Sequence, residues 1–357
     1  MKQPVVLKIG SNVLRADNGT LDVPRLSKLV EEISLLRKNG DSIVLVSSGA
    51  VAAGKSILSI AENLDSISQR QLWASIGQVK LIQTYSEQFS KQQLITAQVL
   101  VTKEDFRDRS HYLNMKNCFT TLLENGVIPI VNENDVISVT ELMFTDNDEL
   151  AGLVASMLDA SKLIILSNID GVFTGNPSDP EAKLIPQIAY SDSILPNIIS
   201  PAKSSFGRGG MLTKFTMARK TAGLGIPVHI ANGKTDFILQ SIFSNQAIGT
   251  QFLARKKASN TKKWLAHAHS AFAGSITIDN GAKKALRSEN PTSLLPVGII
   301  NVVGDFKKGD IIRIDDEKGA IIGLGKSAYD STTARELMGK KNQKECIHYD
   351  YLYLNPA

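Results

Sequence analysis

Six aliphatic runs recur through the first 250 residues: VVLKIG, DSIVLVSSG, ITAQVLVT, VIPIVN, KLIILSN and PVHIAN. Most are apolar at consecutive positions and so have no polar face to turn to water. Strands of that kind are covered on both sides, which is the condition of a parallel sheet. The stretches RLSKLVEEISLLRKNG, RQLWASIGQVKLIQTYSEQF, LNMKNCFTTLLENG and DELAGLVASMLDA lie between them. These space their apolar residues three and four apart, the period of a helix with one buried face. Two of them close with Asn-Gly, at Gly40 and Gly126, where a helix can end in a left-handed residue. Doubly buried strands alternating with helices predict an α/β fold, a mostly parallel sheet sandwiched by helices.

The texture changes near Gly249. GTQFLARKKASNTKKW is basic and poor in large apolar residues. Beyond Trp264 come GSITID, SLLPVGIINVVG, GDIIRIDD and GAIIGLG, with helical stretches at DNGAKKAL and YDSTTARELMG. The chain therefore divides into an α/β domain over residues 1–250, a linker over 251–263, and a small β-rich domain with its tail over 264–357. A length of 357 residues, more than one core usually serves, agrees with that division. A net charge of +5 permits anionic partners, but aromatics at 6% advertise no base-stacking surface. Cys118 and Cys346 are too few for a disulfide framework or a zinc site, and His267 and His269 have no third ligand nearby. MKQPVVLKIG reads straight into a strand with no signal-peptide core. No run approaches the ~20 apolar residues of a membrane helix, so a cytoplasmic location without membrane contact is expected.

Ligands of open α/β sheets bind beyond the carboxyl ends of the strands, and four segments are predicted there. KIGSN sets Lys8 near the end of the first strand, ahead of Gly10. SSGAVAAGKS is a strand-to-helix turn whose backbone amides favour anions. The stretch from Asn132 to Asp148 crowds acids and amides behind a buried strand, which suits a solvated loop or a pocket for a small polar molecule. GRGGMLTK puts three glycines and then Lys214 at a helix start, room for a phosphate followed by a point charge. Residues 49–56 also fit the P-loop pattern G-x-x-x-x-G-K-[ST], with Lys55 on phosphate and Ser56 on magnesium. AVAA is a strong helix-forming string, so Lys55 is expected inside a helix and not in a phosphate-wrapping loop.

Together with LWASIGQVKLIQTYSEQF, TAQVLVTKEDFRDRSHYLNMKNCFTTLL, FTDNDELAGLVA and DGVFTGNP, these segments resemble the amino acid kinase family, in the branch that phosphorylates glutamate. SLLPVGIINVVGDFKKGDIIRI and the tail CIHYDYLYL resemble a PUA domain. The resemblance implies transfer of the γ-phosphoryl group of ATP to the side-chain carboxylate of L-glutamate, giving L-glutamyl 5-phosphate, the first step of proline synthesis. A carboxylate is already an ionised nucleophile at neutral pH. Such a reaction needs position and positive charge, not a general base.

By the same resemblance Lys8 and Lys214 are the catalytic cations, Asp148 orients them, and Mg2+ arrives on the ATP phosphates without a protein site of its own. Glutamate is expected against Ser48, Asn132, Asp135 and Asn147, with Asp135 on the α-ammonium. ATP is expected against Lys8, Gly10, Gly49, Ser167, Asn168, Arg208, Gly209, Gly210, Met211, Leu212, Thr213 and Lys214. Ser167-Asn168 stands where the family usually has Thr-Asp, and Arg208 and Leu212 also depart from its pattern, which bears on nucleotide affinity. Arg208 either touches phosphate or projects into solvent. Glu149 reads as an acid favoured by a helix N-terminus, Glu133 and Glu141 as surface acids or structural partners. The resemblance further implies proline as a feedback inhibitor, a homo-oligomer, and hand-over of the labile product to glutamyl phosphate reductase. Two rivals stand beside this reading. One keeps the fold and changes the acceptor to aspartate, N-acetylglutamate, carbamate or UMP. The other is an RNA-binding protein served by its PUA-like domain and by Lys256, Lys257, Lys262 and Lys263. The tail reads as lacking an aromatic stacking platform, so regulation or assembly is the expected role of that domain.

Overall fold

The computed structural model describes residues 2–58, 64–138, 144, 146–190, 192, 210–255, 260–265, 272–288 and 292–355. The chain forms two compact units, Met1–Asp105 with Ser110–Lys257, and Phe106–Arg109 with Ala258–Ala357.

Up to Lys257 the chain runs β1 (Val5–Ile9), α1 (Val23–Lys38), β2 (Ile43–Ser47), α2 (Ala50–Lys55), α3 (Ser66–Lys91), β3 (Thr96–Val101), α4 (Lys103–Arg107) and α5 (Arg109–Glu124). It continues through β4 (Ile128–Glu133), α6 (Asn147–Leu158), β5 (Lys162–Ser167), β6 (Gln187–Ile188), α7 (Met211–Gly223), β7 (Val228–Asn232), α8 (Ile238–Phe243) and β8 (Thr250–Phe252). The strands make one sheet in the order β3-β4-β2-β1-β5-β7-β8-β6. Neighbours are parallel except β7 and β8. All six aliphatic runs are strands, and β1, β2 and β4 are buried at every position, as a sheet covered on both faces requires. Leu7, Ile9, Leu29, Ile33, Leu45 and Phe89 belong to the core on one of those faces.

Helix ends follow local chemistry. Asp22, Asp65 and Asp146 cap α1, α3 and α6 by accepting backbone N–H bonds from the first turn, the usual work of an N-cap carboxylate. Gly40 and Gly126 take φ of +84° and +75° beyond α1 and α5, as the Asn-Gly endings predict. The P-loop pattern folds differently from a P-loop. Ala50 to Lys55 is helical, and the Lys55 ammonium lies 4.5 Å from the centroid of the Trp73 ring. The glycine of that pattern serves packing: a Cβ on Gly54 would stand 1.9 Å from the Trp73 carbonyl oxygen, and one on Gly77 would stand 1.7 Å from that of Ala50. Only two glycines let α2 and α3 cross this closely.

The stretch expected as linker begins inside the sheet. Thr250 and Phe252 are buried, the Phe252 ring meets Phe215 edge-on at 5.4 Å, and Arg255 donates its backbone N–H to Ala222 at 2.9 Å. β6 and β8 are too short to leave an aliphatic run in the sequence.

The second unit contains α9 (Asn260–Leu265), β9 (Gly274–Ile278), α10 (Asn280–Leu286), β10 (Ile299–Gly304), β11 (Ile311–Asp316), β12 (Ile321–Lys326), α11 (Ser331–Leu337) and β13 (Leu352–Leu354). Its sheet order is β10-β9-β11-β12-β13, with only β9 and β11 parallel. Ile276, Ile312, Ile314, Ile322 and Ile347 fill its core. Buried Cys346 has its thiol pushed up to about 11 by desolvation. Two expectations change here. Lys263 is fully buried and cannot meet a phosphate backbone, while Lys256, Lys257 and the side chain of Lys262 lie outside the described residues, as do His267 and His269. The tail does carry aromatics at its surface: Tyr349 and Tyr351 are exposed, His348 lies 4.3 Å from Tyr349, and Lys326 sits 5.6 Å over Tyr351. Among the described residues no helix is long and apolar enough to cross a membrane.

Candidate active site

β1, β2, β4, β5 and β7 run in one direction, so their carboxyl ends share one edge of the sheet. That edge opens into a cleft of about 600 Å³. Lys8 reaches it from the penultimate position of β1, its neighbours in register being Val46 and Ile165. Gly10 follows, where a Cβ would crowd the Leu166 carbonyl oxygen at 3.1 Å and the Lys8 ammonium at 3.5 Å.

Three charges organise the cleft floor. Asp148, in the first turn of α6, is fully buried. Lys8 Nζ lies 2.6 Å from its Oδ1, and Lys214 Nζ, from the first turn of α7, donates to its Oδ2 at 2.7 Å. Burial alone would raise the Asp148 pKa, but the two ammonium groups prevail and hold the carboxyl well below its usual range. Burial dominates at Lys8 and lowers its pKa despite Asp148. At Lys214 burial is outweighed by the Asp148 charge, and the pKa rises. The three groups together keep one positive charge in excess, placed where the sheet ends. Asp146 adds a cap beneath them, accepting from the backbone N–H of Asp148 at 2.9 Å. Burial raises its pKa, helped by the neighbouring Asp148 charge.

Beside this bridge lies a net of amides. Asn147 Nδ2 stands 2.9 Å from Ser48 Oγ, 3.0 Å from Asn132 Oδ1 and 3.1 Å from the Ser47 carbonyl. Asn132 Nδ2 donates to Gln78 Oε1 at 2.8 Å. Ser48, Asn132 and Asn147, separated in the sequence, are therefore brought together. Asp135 lines the same cleft, in an ion pair with Arg70, whose Nη2 also donates to Glu133 Oε2 at 3.2 Å. Glu133 is not a surface acid. It is buried, accepts from the Phe144 N–H at 3.0 Å, and has its pKa pushed up to about 7 by desolvation, then by Asp135, against the pull of that hydrogen bond and of Arg70. Glu141 lies outside the described residues. Glu149 keeps its place in the first turn of α6 and pairs with Lys103 at 3.0 Å.

Ser167, Asn168, Gly49, Gly210 and Met211 also line the cleft. Arg208 and Gly209 lie outside the described residues. Leu212 and Thr213, expected on ATP, are not part of the lining. α7 begins at Met211, so Met211 and Lys214, three apart, share the cleft face. Leu212 is exposed, and Thr213 Oγ1 lies 2.8 Å from Asp146 Oδ2. Arg70, Asp146 and Gln78 are additions that the sequence reading lacked. Asp146 was findable as a capping acid ahead of a helix. Arg70 and Gln78 had no local signal, since each meets its partner across more than 50 residues.

The amino acid kinase family model matches residues 3–232, and the PUA domain model matches residues 274–348. A glutamate 5-kinase of Bacteroides thetaiotaomicron is 53% identical over 353 residues, spanning 98% of each chain. One of Chlorobaculum tepidum is 48% identical over 357 residues, spanning 99% of this chain and 97% of its own. Among solved structures, a T. acidophilum isopentenyl phosphate kinase product complex aligns with a TM-score of 0.50 at 16% identity, covering 70% of this chain and 99% of its own. That last likeness is one of fold alone.

Proposed function

The chain belongs to the amino acid kinase family, with a PUA domain behind its kinase domain, and from that premise we propose that it transfers the γ-phosphoryl group of ATP to the side-chain carboxylate of L-glutamate. The observation that carries the reading is the buried Lys8–Asp148–Lys214 bridge set beside the Ser48–Asn132–Asn147 net. Bound ATP, with Mg2+ on its phosphates, supplies the phosphoryl group. The cleft fits it: two ammonium groups, the backbone at Gly10, Gly49 and Gly210, and the helix N-terminus of α7 all favour a polyanion. Lys8 and Lys214 offset the repulsion between an anionic acceptor and the phosphates. Asp148 stays ionised between them and fixes their positions, and no proton needs to leave the acceptor. The amide net orients the acceptor carboxylate, while Asp135 takes the α-ammonium.

Proline competes at the glutamate site, the protein works in the cytoplasm as a homo-oligomer, and the acyl phosphate passes to a reductase. The exposed Tyr349 and Tyr351 with Lys326 favour a second partner for the PUA unit, single-stranded RNA stacked on those rings. Hydroxylamine traps an acyl phosphate, so the test is hydroxamate formation with Mg-ATP and, separately, L-glutamate, L-aspartate, N-acetylglutamate and glutarate. Product with L-glutamate alone is the expected result. Product with another acceptor would overturn the pocket assignment.

A further inference from the structure

Arg70 lies in the second turn of α3 and lines the cleft. Its Nη2 bonds both Asp135 and Glu133, and among the described residues both of its bonds leave from that one nitrogen. A guanidinium carries five donors in a rigid fork, so its remaining edge suits a planar carboxylate. The cleft's other cations are placed for different work. Lys8 and Lys214 bracket Asp148, Lys55 lies over the Trp73 ring, and Arg15 stands beside the turn at Gly19.

An α-amino acid bears its ammonium and carboxylate on one carbon and so presents opposite charges side by side. An aspartate in contact with an arginine presents the complementary pair in the same arrangement. We infer that Arg70 is a specificity-determining residue, which takes the α-carboxylate of the acceptor while Asp135 takes its ammonium. Glu133 then acts as the fixed acceptor that keeps Arg70 on the cleft wall, through its Oε2 at 3.2 Å, when Asp135 turns to the substrate. It is itself held by the Phe144 N–H at 3.0 Å. The arrangement also resolves a conflict of charge, because two acids at the cleft wall would repel a substrate with two carboxylates. The inference rests on the reading of L-glutamate as acceptor.

The test compares L-glutamate with its α-amide, which keeps the ammonium and the side-chain carboxylate but lacks the α charge. Steady-state hydroxamate kinetics are measured for the intact protein and for Arg70→Ala, Arg70→Lys and Arg70→Gln. Arg70→Ala is expected to lower kcat/KM for glutamate roughly 10- to 100-fold, the worth of one charge-assisted hydrogen bond. The same variant leaves kcat/KM for the α-amide within about twofold and the KM for ATP unmoved. Arg70→Lys recovers part of the glutamate loss. If Arg70→Ala does not fold, as judged by circular dichroism, Arg70→Gln and Arg70→Lys carry the comparison. Equal losses on both acceptors would overturn the inference and leave Arg70 only holding Asp135 in place. An unchanged preference for glutamate would overturn it as well. Absence of wild-type turnover with L-glutamate would instead overturn the acceptor reading, and the inference with it.

Discussion

At the scale of single residues, the cleft depends on charges that are buried only because they face one another. Asp148 is ionised in a fully buried place because two ammonium groups lie within 2.7 Å of its oxygens. Lys8→Ala and Lys214→Ala should each lower kcat by about 10²- to 10³-fold, the cost of losing one preorganised charge-stabilising donor. Lys55→Ala should cost less than about tenfold, because Lys55 stands on a helix over Trp73. The opposite ranking in the same assay would restore the P-loop reading. Glu133 gives a pH dependence with a definite sign. Its pKa is about 7 in the fold against an ordinary 4.5, so the folded state holds a proton that the unfolded chain releases. Stability from this group is fully present below the ordinary pKa and is lost as pH rises through the folded one. Glu133→Gln cannot titrate, so its melting temperature should gain on the wild type between pH 5 and pH 8. Parallel melting curves across that range would refute the assignment.

At the scale of elements, helix crossings and helix starts position the chemistry. α2 and α3 meet through Gly54 and Gly77, where any Cβ would overlap backbone atoms. Alanine is the better helix former by about 1 kcal/mol, yet Gly77→Ala should destabilise the protein by roughly 1–3 kcal/mol, since overpacking against backbone outweighs propensity. Urea unfolding measures this, and a neutral or stabilising result would show that the helices can part at little cost. Because α2 starts just after Gly49 on the cleft and α3 carries Arg70, the same variant should also lose turnover. The helix starts explain the nucleotide side too. Because α7 begins at Met211, three residues ahead of Lys214, its period sends Met211 and Lys214 to the cleft and leaves Leu212 exposed.

At the scale of the whole molecule, the chain forms two units with separate cores, and the proposed transfer chemistry lies wholly in the first. Ending the chain after Lys257 should therefore leave hydroxamate formation in place while changing proline sensitivity or assembly, as inhibition curves and gel filtration would read. Full retention of both would remove regulation and assembly from the second unit. The six aliphatic strands and the helices between them, the change of texture near Gly249, and the placing of Lys8, Lys214 and the acids around residue 148 at strand ends and helix starts were legible from the sequence alone. Each of these is written locally, in aliphatic runs, helical spacing and glycine turns. What sequence could not decide was pairing across distance. Arg70 meets Asp135 from 65 residues away, and Thr250–Phe252 enters the sheet between β7 and β6 although basic residues follow it. Glu133 is buried although acids usually face water. Only the tertiary structure settles these, because they depend on which side chains the sheet and its covering helices bring to one face, and no local pattern encodes that.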